Sequence, residues 1–241
     1  MDLDGSLSEG WVSLAMAHIR GRFDWQGAEW EFRHAIALDP RNANAHIWYA
    51  LLILSPRQRP DEALLEIQRA LDLDPGSLAA NMTEGVVLYF ARRYDQAIAK
   101  FEAMEKLAPG FPYAPLHLAL AYSETANASA GVPIAEGPAL NGMPTRETLW
   151  LQALVYAAAG RRQDAQRIAV QLEEQAKHSY VQPFDRAELA AVLGRSGPAL
   201  DLLKQAYQDR DSDFAWINVD PKLDSLRDNP RFQALLRKAN F

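Results

Sequence analysis

Apolar residues recur at helical spacing along most of the chain, and the same residue types return at matching points of successive segments. Between residues 23 and 40, Ala28, Phe32 and Ala35 share one predicted helix face, which ends at Asp-Pro. Proline stops a helix because it has no amide hydrogen to donate. The matching positions downstream are Ala63, Ile67, Ala70 and Pro75, and then Ala97, Phe101, Met104 and Pro109. The pattern therefore predicts a repeated unit of two helices.

The distance between the terminating prolines identifies the unit. Pro75 follows Pro40 by 35 residues and Pro109 follows Pro75 by 34, and 34 residues is the period of tetratricopeptide (TPR) helix-turn-helix repeats. We therefore expect an all-α TPR solenoid, a right-handed superhelix. The expected repeats are 8–40, 44–75, 78–109, a degenerate unit at 111–144, 145–178 and 183–209, followed by a C-terminal helical cap at 213–241.

Several details within the units can be predicted as well. Ser8 and Asp24 are expected to cap the first two helices, and Gly85 is expected where two helices approach closely. The extra residue in the 35-residue period is expected near the loop at 55–60 or before Asn44. The fourth unit contains three glycines and two prolines between residues 131 and 142, so a long loop with at most a short, broken helix is expected in its place. The cap is expected to form two short helices over the exposed end of the solenoid.

Composition excludes several classes of function. Hydrophobic residues make up 49% and charged residues 23% of the 241, and no apolar run approaches the roughly 18 residues needed to span a membrane. A net charge of -6 and a pI near 5.4 argue against nucleic-acid binding. The chain has no cysteine, so thiolate catalysis and cysteine-based metal sites are excluded. The first ten residues are acidic and polar, unlike a secretion signal, so a cytoplasmic protein without a membrane partner is expected.

Motif searches favour a non-catalytic protein without cofactor or metal. Nucleotide-binding and hydrolase fingerprints of the GxGxxG, GxxxxGK[ST] and GxSxG types are absent. Two sequons, at Asn81 and Asn127, are interpreted as chance matches because no secretion signal accompanies them. The five histidines are scattered without an HExxH pair, which gives only a weak signal for a metal site: His18, His34, His46, His117 and His178.

Several strings beyond the TPR spacing resemble the TPR arrays at the C-terminal end of bacterial winged-helix transcriptional regulators, and of some multi-domain bacterial kinases and cyclases. They are FDW at 23–25 with AE at 28–29, LDLDP at 71–75, YFARRYDQAI at 89–98, YVQPFD at 180–185, VDP at 219–221 and NPRF at 229–232. The resemblance implies the sensing or scaffolding part of a bacterial regulatory protein. The sequence contains no winged-helix or kinase segment, so the resemblance does not name an output domain.

In TPR proteins the first helix of each pair lines a concave groove, and the resemblance places ten residues of this chain there: Trp48, Leu52, Met82, Val86, Tyr89, Phe90, His117, Leu120, Trp150 and Leu154. This face would be apolar and aromatic, suited to an amphipathic helix or an extended apolar peptide of a partner protein. The Lys and Asn residues of the family's two-carboxylate clamp are missing from these positions, which excludes chaperone-tail binding.

Three alternatives stay open at this stage. The aromatic residues can simply pack between neighbouring helices or under the C-terminal cap, since aromatic stripes at helical spacing are usually core. The groove can also hold a small apolar ligand, with the loop at 128–144 as a lid, or serve homo-oligomerisation.

Overall fold

Thirteen α-helices and several shorter helical turns make up the part of the chain that the computed structural model describes, residues 7–241, and no strand occurs there. The helices are α1 Ser8–Arg22, α2 Trp25–Leu38, α3 Ala43–Tyr49, α4 Pro60–Leu73, α5 Leu78–Phe90, α6 Tyr94–Leu107, α7 Tyr113–Ser123, α8 Gly131–Ala135, α9 Thr145–Ala158, α10 Arg162–Gln175, α11 Pro183–Val192, α12 Ser196–Asp209 and α13 Pro230–Lys238. Successive helices pack as antiparallel pairs, and each pair packs on the next, which gives an all-α solenoid.

Short polar side chains begin several of these helices. The Asp24 carboxylate accepts a hydrogen bond from the Gly27 amide at 2.9 Å, which confirms Asp24 as the cap of α2. The prediction for Ser8 is wrong, because α1 begins at Ser8 and Leu7 occupies the cap position. The Ser8 hydroxyl instead donates to the Ala35 carbonyl at 2.9 Å and so ties α1 to the end of α2.

The close approach predicted within the third pair is confirmed. A Cβ atom on Gly85 would overlap the ring of Phe101, which is fully buried on α6. The fourth pair keeps α7 but replaces its partner with 3-10 turns around the short helix α8, as its glycines and prolines predict. This broken half contacts both α7 and α9 and so keeps its place in the stack.

Tyrosine hydroxyls link several neighbouring pairs by one recurring hydrogen bond. Tyr49, Tyr122 and Tyr156 each donate to a glutamate 20 residues earlier in the chain, at distances of 2.7–3.2 Å. The carboxylates belong to Glu29, Glu102 and Glu136. These bonds join the first helix of one pair to the second half of the preceding pair.

A π-helical turn, Ala50–Leu54, continues α3 and is closed by the Ser55 amide donating to the Ala50 carbonyl at 3.0 Å. Such a turn accommodates one more residue than an α-helical turn. It lies directly before the loop at 55–60 and accounts for the 35-residue period of the second unit. Because residues on an α-helix are about 100° apart, the extra residue also rotates the side chains beyond it relative to those before it.

The C-terminal segment, residues 211–241, packs on the last helix pair and also reaches the first. It contains two 3-10 helices, Ser212–Trp216 and Pro221–Leu226, and α13. Trp25 on α2 donates its indole N–H to the Ala239 carbonyl at 2.6 Å, and the Trp25 ring lies 4.7 Å from that of Phe241. Asn218 donates to the Pro56 carbonyl at 2.9 Å. The segment therefore crosses the concave side of the solenoid and joins its two ends, in addition to the covering role expected of a cap.

None of the helices within residues 7–241 combines the length and the apolar character needed to cross a bilayer. The first six residues, on which part of the argument about a secretion signal rests, lie outside the described residues.

Candidate binding cavity

The C-terminal segment leaves an inner cavity of about 440 Å³ on the concave side of the solenoid. Helices α5, α7, α9 and α11 form its walls, and the segment closes it from the side. Its lining residues are Leu51, Met82, Thr83, Val86, Tyr89, Phe90, Phe111, Tyr113, Leu116, His117, Leu120, Glu147, Trp150, Gln182, Phe184, Asp185, Glu188, Asp213, Trp216, Asp220 and Lys222. The volume falls in the range of about 300–1,000 Å³ that small-ligand sites occupy.

Seven of the ten residues predicted for the groove line this inner cavity: Met82, Val86, Tyr89, Phe90, His117, Leu120 and Trp150. Trp48 and Leu52 do not. They are partly buried against the hydrophobic core that includes residues of the C-terminal segment. Since the π-helical turn changes the helix register, Leu51 lines the cavity in place of Leu52.

Leu154 lies on the far side of the C-terminal segment. It lines a second cavity of about 310 Å³, together with Glu124, Pro221 and Lys222. Lys222 lines both cavities, so the segment divides the concave side in two at this residue.

A buried ion cluster forms the floor of the inner cavity and makes it far less apolar than predicted. The Lys222 ammonium lies 3.2 Å from an Asp220 carboxylate oxygen and 3.4 Å from Glu188, and the three side chains are at most 5% exposed. Glu188 also accepts a hydrogen bond from the Trp150 indole at 2.8 Å. The Lys222 nitrogen lies 5.3 Å from the ring centroid of Tyr89 and 5.7 Å from that of Trp150. Helices α5, α9 and α11 thus meet the C-terminal segment around one cation.

Burial and neighbouring charge shift the pKa values of this cluster in opposite directions. Burial raises the pKa of Glu188 well above its usual value. Burial alone would raise the pKa of Asp220 too, but the neighbouring Lys222 charge holds it below its usual value. The two carboxylates overcome the effect of burial on Lys222 and hold its pKa above its usual value.

Two further carboxyl groups lie where α11 begins. Burial, together with the charges of Asp213 and Asp211, raises the pKa of Asp185 to about 8. Burial also raises the pKa of Asp213. The Asp213 carboxyl group accepts a hydrogen bond from the Gln182 amide at 3.1 Å. Asp211 accepts a hydrogen bond from the backbone amide of Phe184 at 3.0 Å, which fixes the start of α11 against the C-terminal segment.

Two uncharged polar side chains complete the wall. Burial lowers the pKa of His117 to about 4, so its ring is neutral at pH 7. Its Nδ1 lies 2.9 Å from the Tyr113 carbonyl, which can only accept, so Nδ1 carries the hydrogen and Nε2 is an acceptor. Thr83 is 5% exposed, and its hydroxyl has no hydrogen-bond partner among the described residues.

The described residues contain no group of three or more metal-ligating side chains placed to hold a metal ion. Of the five histidines, His117 alone lines the inner cavity. His46 contacts Glu66 at 2.6 Å and the Pro40 carbonyl at 3.0 Å, and therefore ties α3 to its neighbours.

The acidic residues of the inner cavity are absent from the sequence-based groove list. Glu188 and Asp185 lie on α11, whereas Asp213, Asp220 and Lys222 lie on the C-terminal segment, whose path across the solenoid no repeat predicts. Hydrophobic patterning offers one signal, since Glu188 occupies a position between the buried Ala187 and Leu189. A charged residue inside an apolar run indicates either a buried partner or a site.

No protein-family model and no curated protein sequence matches this chain. Solved structures of TPR proteins do match it in fold. PilW, a widely conserved type IV pilus biogenesis factor, superposes with a TM-score of 0.61 at 20% identity, over 87% of this chain and 96% of that one. A thermophilic TPR protein of Thermus thermophilus superposes with a TM-score of 0.62 at 21% identity, over 77% and 98% of the two chains.

A third TPR structure, from Parabacteroides merdae, covers 97% of this chain and 99% of its own length, with a TM-score of 0.56 at 13% identity. These likenesses confirm the predicted all-α TPR solenoid. At such low identity they establish the fold alone, and the link to winged-helix regulators stays a prediction.

Proposed function

We propose that this chain is a non-catalytic protein-interaction module that takes a short extended segment of a partner protein into the inner cavity. The observation that carries the proposal is the cavity itself, in which aromatic side chains from α5, α7 and α9 meet Trp216 of the C-terminal segment. Aromatic residues in a partly enclosed pocket are the usual anchors of protein recognition. The TPR fold of the structural neighbours supports the same class of function.

The position of the C-terminal segment favours a short extended segment over an amphipathic helix as the occupant. An α-helix with its side chains is at least about 10 Å wide and needs a long open groove. The C-terminal segment already occupies the rest of the concave side. An extended segment needs room for only two or three side chains, which the cavity offers.

The charged groups of the floor support a binding role without catalysis. Glu188 and Asp220 are engaged by Lys222, and Glu188 also by Trp150, so neither is available as a general base. We propose further, from the repeat strings alone, that the module is the sensing or scaffolding part of a cytoplasmic bacterial regulatory protein.

Filling the cavity tests the proposal. Val86 lines it and makes no polar contact, so Val86→Trp places a large side chain in the space of the partner. Val170 on α10 is 64% exposed, and Val170→Trp is the matched control on the outer surface. Wild type and both variants are used as baits in lysate of the source organism, and retained proteins are identified by mass spectrometry. The proposal requires a protein held by wild type and Val170→Trp and lost by Val86→Trp. Equal retention by all three baits would refute it.

A small-molecule sensor is the second candidate, and the volume and partial closure of the cavity favour it. Residues 128–144 do not line the inner cavity, so the C-terminal segment takes the covering place first assigned to that loop. Native mass spectrometry of protein purified from the source organism tests this candidate. A bound small molecule on wild type that Val86→Trp lacks would favour the sensor over the protein-interaction module. Homo-oligomerisation is tested by sedimentation of the same samples.

A further inference from the structure

Carboxyl groups outnumber basic groups among the residues that line the inner cavity. Five carboxyl side chains line it, and Lys222 is the only basic residue among the lining residues. Lys222 is taken up by Asp220 and Glu188. Glu147 lies 3.6 Å from Arg146. Asp185 and Asp213 are left without an ion pair anywhere in residues 7–241, and Asp185 also lacks a hydrogen bond there.

The aromatic walls suit a cation as well. Lys222 already lies against the rings of Tyr89 and Trp150, at distances where a ring attracts a positive charge. Trp216 stacks on Phe90 with ring centroids 4.6 Å apart, which holds both rings in place beside the cavity. Tyr113 lines the same cavity and is 44% exposed, so its ring is open to an incoming group. A positive group in the cavity would therefore have aromatic rings beside it as well as carboxyl groups.

The remaining polar atoms of the wall also favour an occupant that donates hydrogen bonds. The Nε2 atom of His117 is an acceptor without a partner among the described residues, because Nδ1 carries the hydrogen. The Thr83 hydroxyl, likewise unpartnered among the described residues, lines the same cavity and can accept a hydrogen bond. Guanidinium and ammonium groups carry several N–H donors and no acceptor, which complements this set.

We propose that the inner cavity binds an organic cation, a guanidinium or ammonium group on an apolar stem, between its aromatic walls and the carboxyl groups of Asp185 and Asp213. This inference rests on the proposed role of the cavity as the binding site and adds the chemistry of its occupant. Two sources share this chemistry: an Arg or Lys side chain of a partner protein, and a free amine or guanidine.

Matched probes that differ only in charge test the inference. For the peptide source, acetyl-Leu-Arg-Leu-amide is compared with the same peptide carrying citrulline, the neutral isostere of arginine. For the free source, butylguanidinium is compared with butylurea. Binding to the full chain is measured by calorimetry at pH 8.5, above the pKa of about 8 of Asp185. It is also measured by quenching of tryptophan fluorescence, since Trp150 and Trp216 line the cavity.

The expected result is that at least one cationic probe binds at least tenfold more tightly than its neutral isostere. Asp185→Asn should abolish this preference, whereas Asp228→Asn, the same change at an exposed position outside the cavity, should retain it. Tighter binding of the peptide identifies a protein side chain as the source, and tighter binding of butylguanidinium identifies a free cation. Thermal unfolding of each variant shows whether it is folded.

Three results would overturn the inference: no measurable binding of either cation, equal binding of cation and isostere, or a charge preference that survives in Asp185→Asn. The bait experiment with Val86→Trp distinguishes failure of the cation inference from failure of the proposed function. If Val86→Trp loses a partner but the probes show no charge preference, the module function stands and the cation is excluded.

Discussion

Replacing Asp185 with asparagine removes one ionisable group from the inner cavity and keeps the shape of the side chain. Burial raises the pKa of Asp185 from 3.8 to about 8, the charges of Asp213 and Asp211 add to the rise, and Arg146 and Lys222 oppose it. An acid with a raised folded-state pKa destabilises the fold progressively as the pH rises above its unfolded pKa. The penalty is complete only above the folded pKa. The wild type should therefore lose stability in alkaline solution through this group.

The size of the effect follows from the same shift. One pKa unit corresponds to about 1.36 kcal/mol. At pH 6, about two units above the unfolded pKa, the penalty is about 3 kcal/mol. Above pH 9 it reaches about 6 kcal/mol, because the folded and unfolded values differ by about four units. Between pH 6 and pH 9 the wild type should therefore lose about 3 kcal/mol more of its unfolding free energy than Asp185→Asn.

Urea unfolding followed by circular dichroism at pH 6 and pH 9 measures this difference. Asp228→Asn controls for the loss of a carboxylate at an exposed position, and it should follow the wild type at both values. A stability difference between wild type and Asp185→Asn that changes by less than about 0.5 kcal/mol over this range would refute the reasoning. The carboxyl group would then not be as desolvated as its position in the cavity implies.

Three further substitutions test the packing by urea unfolding at pH 7. Lys222→Met should lower the free energy of unfolding by about 3–5 kcal/mol, because it leaves two buried carboxyl groups without their cation. A loss below about 1 kcal/mol would argue against a buried ion cluster. Gly85→Ala should lower the free energy of unfolding by about 1–3 kcal/mol, because the new Cβ overlaps the ring of Phe101 on α6. The control Gly21→Ala should be neutral or stabilising, because no atom lies within 4 Å of its new Cβ. Trp25→Phe should lower the free energy of unfolding by at least about 1 kcal/mol, because it removes the hydrogen bond to the Ala239 carbonyl. An unchanged free energy of unfolding would argue against contact between the two ends of the chain.

The repeated helix pairs could be predicted from sequence because each depends on residues close in the chain. The Asp-Pro endings, the cap at Asp24 and the small residue at Gly85 each act within one unit or between adjacent helices. Their spacing is therefore visible as a period of about 34 residues. The weak fourth pair was predictable for the same reason, since glycine and proline act on the local backbone.

The path of the C-terminal segment was not predictable in this way. The hydrogen bond between Trp25 and Ala239 joins residues 214 apart, and contacts at such separations leave no periodic signal. The acidic character of the cavity depends on that path, because Asp213, Asp220 and Lys222 all lie on the segment. The π-helical turn then moved the predicted position of one wall residue from Leu52 to Leu51.

Photo-crosslinking in living cells tests most directly whether a partner occupies the inner cavity. The photoreactive residue p-benzoylphenylalanine is placed at Tyr113, which lines the cavity and is 44% exposed, or at Leu65, which is 62% exposed on the outer helix α4. We expect a discrete cross-linked species of higher mass from position 113 that position 65 does not give and that Val86→Trp abolishes. The same cross-linked species from both positions, or one that persists in Val86→Trp, would contradict the assignment of the cavity as the binding site.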